Sequence, residues 1–403
     1  MKVFIETSSP FFVYTKKGGW LVADKIMGVI FGTFVLLFFG LPLGFIGLLT
    51  LHSTYLYFLV ALIVALYFIV VLTVFGFFKT KRRKQVAILL VGIIVIGVGI
   101  PAAKQLYEDN ISTVSSEVNI HEYQPFHDNS LVVKMDEEAT LKLEDNLPIL
   151  DGATAMYPLY AAFVQATYPE NQNYLHDETV MVSTTPYAYD NLFQGKADMI
   201  FVAGPSEQQK KTADDKGLKL EMTPVGREGF VFFINKKNPI DSLTLDQIRG
   251  IYSGDITNWS QVGGYNEEIR AFQRPQDSGS QTALQYLMGD TPIMEAPTDD
   301  VVSGMGGIIN EVAQYKNYKN AIGYTFRYYS TEMVGNDEIK LIAIEGIEPT
   351  KENIRNDSYP ITSEFYAITA GTENPNVDKL LQWILSPQGQ HLVEKVGYVP
   401  VIE

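Results

Sequence analysis

Cysteine is absent from the sequence. Without it there can be no disulfide, no thiolate metal site, no cysteine nucleophile and no N-terminal cysteine to carry a lipid. Histidine is nearly as scarce. The five present (His52, His121, His127, His176, His391) are scattered, with no pair at helical ligand spacing. No metal and no cofactor is implied. Gly-x-Ser-x-Gly is missing as well, and no histidine stands in a context that would activate a serine. A phosphatase or serine hydrolase is therefore the remote reading, and a non-enzymatic protein is expected.

Positive charge is in short supply, but unevenly so. Residues 1–110 carry ten Lys/Arg and four Asp/Glu, a net of +6, which leaves −21 for the remainder of a chain whose formal charge is −15. An acidic remainder excludes nucleic-acid binding by charge. Any anion bound there must be held by local donors against the mean field.

Charge of either sign is absent from three apolar runs, 26–51, 56–78 and 86–103. A helix crossing ~30 Å of hydrocarbon needs ~20 apolar residues, so all three read as membrane spans. A removable signal peptide does not fit, because the first run starts late and two more follow. Lys16, Lys17 and Lys25 precede the first run, Lys79, Lys81, Arg82, Arg83 and Lys84 lie between the second and third, and the 52–55 connection has no Lys or Arg. By the positive-inside rule the N-terminus (1–25) and the 79–84 loop are cytoplasmic. Residues 26–105 are then a multi-pass anchor in the cell membrane, and everything beyond is extracytoplasmic. With no ionisable residue inside, the three helices contact lipid as an anchor and not as an ion path.

Residues 106–146 read as an extracytoplasmic stalk or as an extension packed on the next domain. From 147 onward strand-like and helix-like stretches alternate. Strands are expected at 147–150, 179–182, 197–203, 230–235 and 321–324, and helices at 157–166, 187–193, 245–252 and 282–288. The alternation predicts an α/β architecture with mainly parallel sheets.

The most chemical stretch is 273–282, QRPQDSGSQT, lying between the apolar-alternating run 268–272 and a helical pattern. It puts Arg274, Ser278, Gly279 and Ser280 where a strand hands over to a helix. A helix start offers free N–H donors and partial positive charge. Arg274 adds a planar charged fork, the serines add hydroxyls, and Gly279 lets the backbone approach closely. Other junctions, Asp151-Gly152-Ala153-Thr154, Ser183-Thr184-Thr185 and Ala203-Gly204-Pro205-Ser206, are also rich in hydroxyl or glycine. N-capping alone accounts for any one of them; four in one domain can converge on one ligand beyond the strand ends.

These segments resemble the extracytoplasmic phosphate-binding proteins of ABC transport, the PstS-like family. DGATAMYPLY (151–160) is similar to its first phosphate loop, IRGIYSGDITNWSQVGG (248–264) to its helix-turn signature, and LQWILSPQGQHLVEKVGYVPV (381–401) to its C-terminal segment. The resemblance covers 147–403. It implies a two-lobed periplasmic-binding-protein fold of type II, with lobe 1 at 147–234 and 363–403, lobe 2 at 235–362, and crossings near 231–235 and 359–367. It implies an oxyanion held by Thr154, Ala155, Thr185, Arg274, Ser278, Gly279 and Ser280, with Thr184, Gly204, Ser206 and Arg227 as further candidates. The implied partners are phosphate and an ABC-type permease, the alternative being a ligand-sensing receptor of the same fold.

One departure matters. Where the family carries an Asp that accepts the proton of hydrogen phosphate, this chain has Ala203, and Gln276 replaces a second Asp. Asp151 and Asp277 are the candidates to substitute. Outside the cradle, Trp259 and the tyrosines 157, 187 and 189 read as packing residues. Arg227 reads as an ion-pair partner of Glu228 or another carboxylate, and Arg327 is open.

Overall fold

The structure is a computed structural model. It describes residues 22–35, scattered positions between 67 and 92, and residues 118–295, 318–335 and 337–401. The chain forms two compact units, 1–111 and 112–403. Element numbers below count the described residues only.

In the first unit the described helix is α1 (Val22–Val35), 14 residues long. Among the described residues no helix is long and apolar enough to cross a membrane. Most of 26–51 and of 56–78, and nearly all of 86–103, lie outside the described residues.

The second unit is an α/β domain built on one mixed sheet ordered β1-β2-β9-β3-β6-β5, with β7 also paired to β3. The strands are β1 (Leu150–Gly152), β2 (Met199–Ala203), β3 (Glu221–Asn235), β5 (Arg270–Ala271), β6 (Ala321–Phe326), β7 (Ile339–Leu341) and β9 (Thr362–Thr369). A small parallel pair, β4 (Ser242–Leu243) and β8 (Ala343–Ile344), lies apart. The 15-residue β3 spans both halves of the sheet. Residues 221–229 pair with β9, and 230–235 pair with β6 and β7. Its burial is nearly continuous from Val225 to Ile234, as expected of a strand covered on both faces.

The sheet is not mainly parallel. The pairings of β3 with β6, β7 and β9, and of β2 with β9, are antiparallel; β1–β2, β4–β8 and β5–β6 are parallel. An unbroken apolar run reports burial on both faces and carries no strand direction, so alternation with helices misled here. The expected strand at 179–182 is reduced to one bridge, Leu150 to Val180.

Helices α2 (Tyr157–Thr167), α3 (Thr184–Phe193), α4 (Glu207–Asp215), α5 (Leu245–Ser253), α6 (Gly279–Met288), α7 (Lys351–Arg355), α8 (Val377–Ile384) and α9 (Pro387–Val396) flank the sheet. α2 is buried on nearly every face rather than amphipathic, and packs with α9. α4 and α5 begin with reciprocal capping boxes, Ser206 with Gln209 and Thr244 with Gln247. Residues 118–146 pack as an extension: Tyr123, Val132, Ala139 and Leu143 are buried. Polar ties join Phe126 N to Gln165 Oε1 (2.7 Å), Thr140 N to Gln388 Oε1 (2.9 Å) and Lys395 Nζ to Asp136 Oδ1 (2.7 Å).

Candidate functional site

Local sequence brings three helix starts to one cavity. Thr154 opens a 3-10 turn, 154–156, directly after β1. Thr184 and Thr185 open α3, and Gly279 opens α6 after its N-cap Ser278. The first-turn N–H groups of a helix have no intrahelical acceptor, so each start contributes donors and the positive end of a dipole. Ser278 Oγ accepts from Gln281 N (3.3 Å), which leaves its own proton free to donate.

The cavity is about 280 Å³ and is lined by Thr154, Ala155, Thr184, Thr185, Arg274, Ser278, Gly279 and Ser280, together with Thr325 and Tyr329. Ala153, Pro186, Tyr187, Pro275 and Phe326 complete the wall. Among the described residues, every lining residue is neutral except Arg274. A Cβ added to Gly279 would meet Thr185 Oγ1 at 3.3 Å and Ala203 Cβ at 3.5 Å. Only a bare backbone fits there without pushing the threonine back, so the α3 and α6 starts face each other at close quarters.

Arg274 is the electrostatic centre. Its main chain is fixed by two acceptors, Gln281 Oε1 (3.0 Å) from α6 and the Tyr324 hydroxyl (2.9 Å) from β6. Tyr324 also bonds Gln281 directly. Its guanidinium Nε is buried without a hydrogen-bond partner, and among the described residues no carboxylate pairs with it. Burial pulls the guanidinium below the ordinary arginine value, with the phenols of Tyr329 and Tyr324 pushing the other way. Arginine still stays charged at neutral pH. A half-buried cation with its Nε unsatisfied and no carboxylate partner among the described residues, facing neutral donors, is complementary to an anion.

Three sequence candidates lie off the cavity wall. Ser206 caps α4 and donates its hydroxyl to Asp277 Oδ1 (2.7 Å). Gly204 lies 3.9 Å, measured from an added Cβ, from Met222 and Tyr366. Arg227 pairs with Asp357, not Glu228, in a depression shared with Arg355 and His391. Glu228 instead takes Arg327 Nε (3.1 Å), and Arg327 also reaches Gly397 O (2.8 Å).

Neither acid offered as a substitute at the cavity is on its wall. Asp151 is buried behind it, accepting from Gly152 N (2.7 Å), Ser183 N (2.9 Å) and Asn191 Nδ2 (2.8 Å). Burial raises its carboxyl above the ordinary value, against those bonds. Asp277, at φ 64°, is engaged by Ser206, and its carbonyl by Gln209 Nε2 (3.3 Å). Gln276 bonds Gln285 (3.1 Å).

Tyr187, read as packing, lines the cavity and is 56% exposed, whereas Tyr157 and Tyr189 are fully buried. Trp259 is buried, its Nε1–H on Asn320 O (2.8 Å). Sequence reading missed Thr325, Tyr329 and the Gln281–Tyr324 pair that holds Arg274. The threonine and tyrosines sit in an apolar strand and its exit, where nothing local marks them as facing a ligand.

A two-lobed α/β domain with a donor-lined cavity around one unpaired cation is the frame of a solute-binding protein. The chain belongs to the PBP superfamily: the PBP superfamily domain matches residues 149–388. It is 25% identical over 277 residues to the phosphate-binding protein PstS of Bacillus subtilis, covering 68% of this chain and 86% of that protein. It is 27% identical over 247 residues to the phosphate-binding protein PstS of Pseudomonas aeruginosa, covering 54% and 72%. Among solved structures it resembles an ABC-type phosphate transport receptor from Vibrio cholerae, with a TM-score of 0.45, 24% identity, and coverage of 62% and 98%.

Proposed function

We propose that the second unit captures phosphate or a related tetrahedral oxyanion and delivers it to an ABC-type permease. The observation that carries this reading is Arg274, charged, buried at Nε and unpaired, in a cavity whose other polar groups are neutral donors. The phosphate-binding names of the relatives support the same ligand. Arg274 would supply charge and a bidentate fork, the Ser278–Ser280 backbone and hydroxyls would take further oxygens, and Thr154 and Thr185 would close the shell. Two lobes meeting at β3, lobe 1 at 147–234 and 363–403 and lobe 2 at 235–362, would close around it. No step of this account makes or breaks a covalent bond, consistent with a binding protein rather than an enzyme.

The first unit would tether this receptor in the membrane through spans at 26–51, 56–78 and 86–103. α1 supports that reading. Ile26, Met27, Ile30, Phe31 and Phe34 are all at least half exposed, a surface that water disfavours and lipid accepts. A Cβ on Gly28 would lie 3.0 Å from Val74, the close approach that small residues allow between membrane helices. The basic flanks set the N-terminus inside and the binding unit outside.

Equilibrium dialysis of the full-length chain against labelled phosphate tests the ligand. Saturable one-to-one uptake is expected; no uptake at millimolar phosphate would reject the reading.

A further inference from the structure

Hydrogen phosphate carries a proton on one oxygen, and a carboxylate beside the anion accepts that proton while repelling an anion that has none. Among the described residues no carboxylate lines this cavity, and both nearby acids are engaged elsewhere, Asp151 by Ser183, Gly152 and Asn191, Asp277 by Ser206. Ala203, buried against the start of α6, offers a methyl group. Meanwhile part of the wall is apolar. Pro186 and Pro275 have no N–H, and the side chains of Ala153, Ala155 and Phe326 can donate nothing. Tyr187 places a ring at the mouth that is still 56% exposed. At about 280 Å³ the space lies just below the ~300–1,000 Å³ typical of pockets for small organic ligands, more than a five-atom ion fills.

We infer that the cavity takes a tetrahedral oxyanion carrying one organic substituent, a phosphonate or phosphate monoester, in preference to the bare anion. This rests on the oxyanion reading above and sharpens its ligand class. Such a ligand, as its dianion, has an ester oxygen or a carbon where hydrogen phosphate has its hydroxyl, so it needs no carboxylate acceptor. Its charged oxygens meet Arg274 and the helix starts, and its substituent lies along Pro186, Tyr187, Pro275 and Phe326. An aromatic substituent gains ring contact with Tyr187.

The full-length chain is titrated calorimetrically with inorganic phosphate, sulfate and phenylphosphonate, and the last is repeated with Tyr187→Ala. Phenylphosphonate is expected to bind about tenfold more tightly than inorganic phosphate, with most of that advantage gone in Tyr187→Ala. Inorganic phosphate binding as tightly as phenylphosphonate, or more tightly, overturns the inference and leaves the oxyanion reading standing. So does sulfate matching phosphate while phenylphosphonate fails to bind. If none of the three binds, the oxyanion reading falls, and this inference with it.

Discussion

Arg274 has opposite effects on folding and on binding. With its Nε buried and unsatisfied, it costs the ligand-free domain stability, since an unmet buried polar group is worth about 1–3 kcal/mol. Arg274→Leu should therefore raise the melting temperature of the ligand-free protein while abolishing any rise on adding phosphate. A variant that melts lower and still responds to phosphate would mean the guanidinium has a structural partner and no ligand role. This residue was legible in sequence because arginine, serine and glycine crowd one strand-to-helix handover. Arg227 was not, because Asp357, its partner, lies 130 residues away, and no local pattern announces a pair of that separation.

At the level of elements, a seam ties the segment after β2 to α6 and to the residues just before it. Ser206 Oγ donates to Asp277 Oδ1 (2.7 Å) and the Tyr286 hydroxyl donates to Pro205 O (2.7 Å). Tyr286 also lies under Lys210, whose Nζ is 5.3 Å from the ring centroid. Each such bond is worth about 0.5–1.5 kcal/mol, so Tyr286→Phe should weaken ligand binding about 2- to 10-fold, mainly through faster release, with the fold intact. Stopped-flow release rates equal to the parent's would show that the seam does not contribute to closure.

The second element to test is β3, where the buried Glu228 meets Arg327 and the amides of Gly229 (3.0 Å) and Tyr328 (2.8 Å). Glu228→Ala strands a buried arginine and should cost about 3–5 kcal/mol in denaturant unfolding. Burial raises the Glu228 carboxyl above its ordinary value, despite the opposing pull of Arg327. An acid raised in the folded state binds more protons folded than unfolded. Its contribution to stability is full below the ordinary value, falls as pH climbs through the raised one, and is flat above. Melting curves of Glu228→Gln should accordingly decline less than the parent's over that window; an unchanged decline would assign the dependence to other groups.

Taking the whole molecule, the two units differ in composition: a basic, apolar first part and an acidic second part. The account expects the full-length chain to pellet with membranes, resist high-salt washing and be released by detergent. Recovery in the soluble fraction would remove the anchor from the account. The α/β class, the handover loops and the helix starts were readable because each depends on neighbours in sequence: a capping serine, a glycine, an apolar run. Sheet direction was not, because Phe230–Ile234 read the same whichever way β6 and β7 approach them. Nor was it visible that the 118–146 extension clamps onto α2 and α9, since its weak apolar spacing acquires meaning only beside Gln165, Gln388 and Lys395.

The central claim is that one unpaired arginine in a neutral donor cage holds an oxyanion. It is tested most directly by calorimetric titration of the full-length protein and of Arg274→Ala with inorganic phosphate. The account predicts one-to-one binding by the parent and a loss of about 2–5 kcal/mol in the variant, at least about 30-fold in Kd. Equal affinity in the two proteins would contradict it.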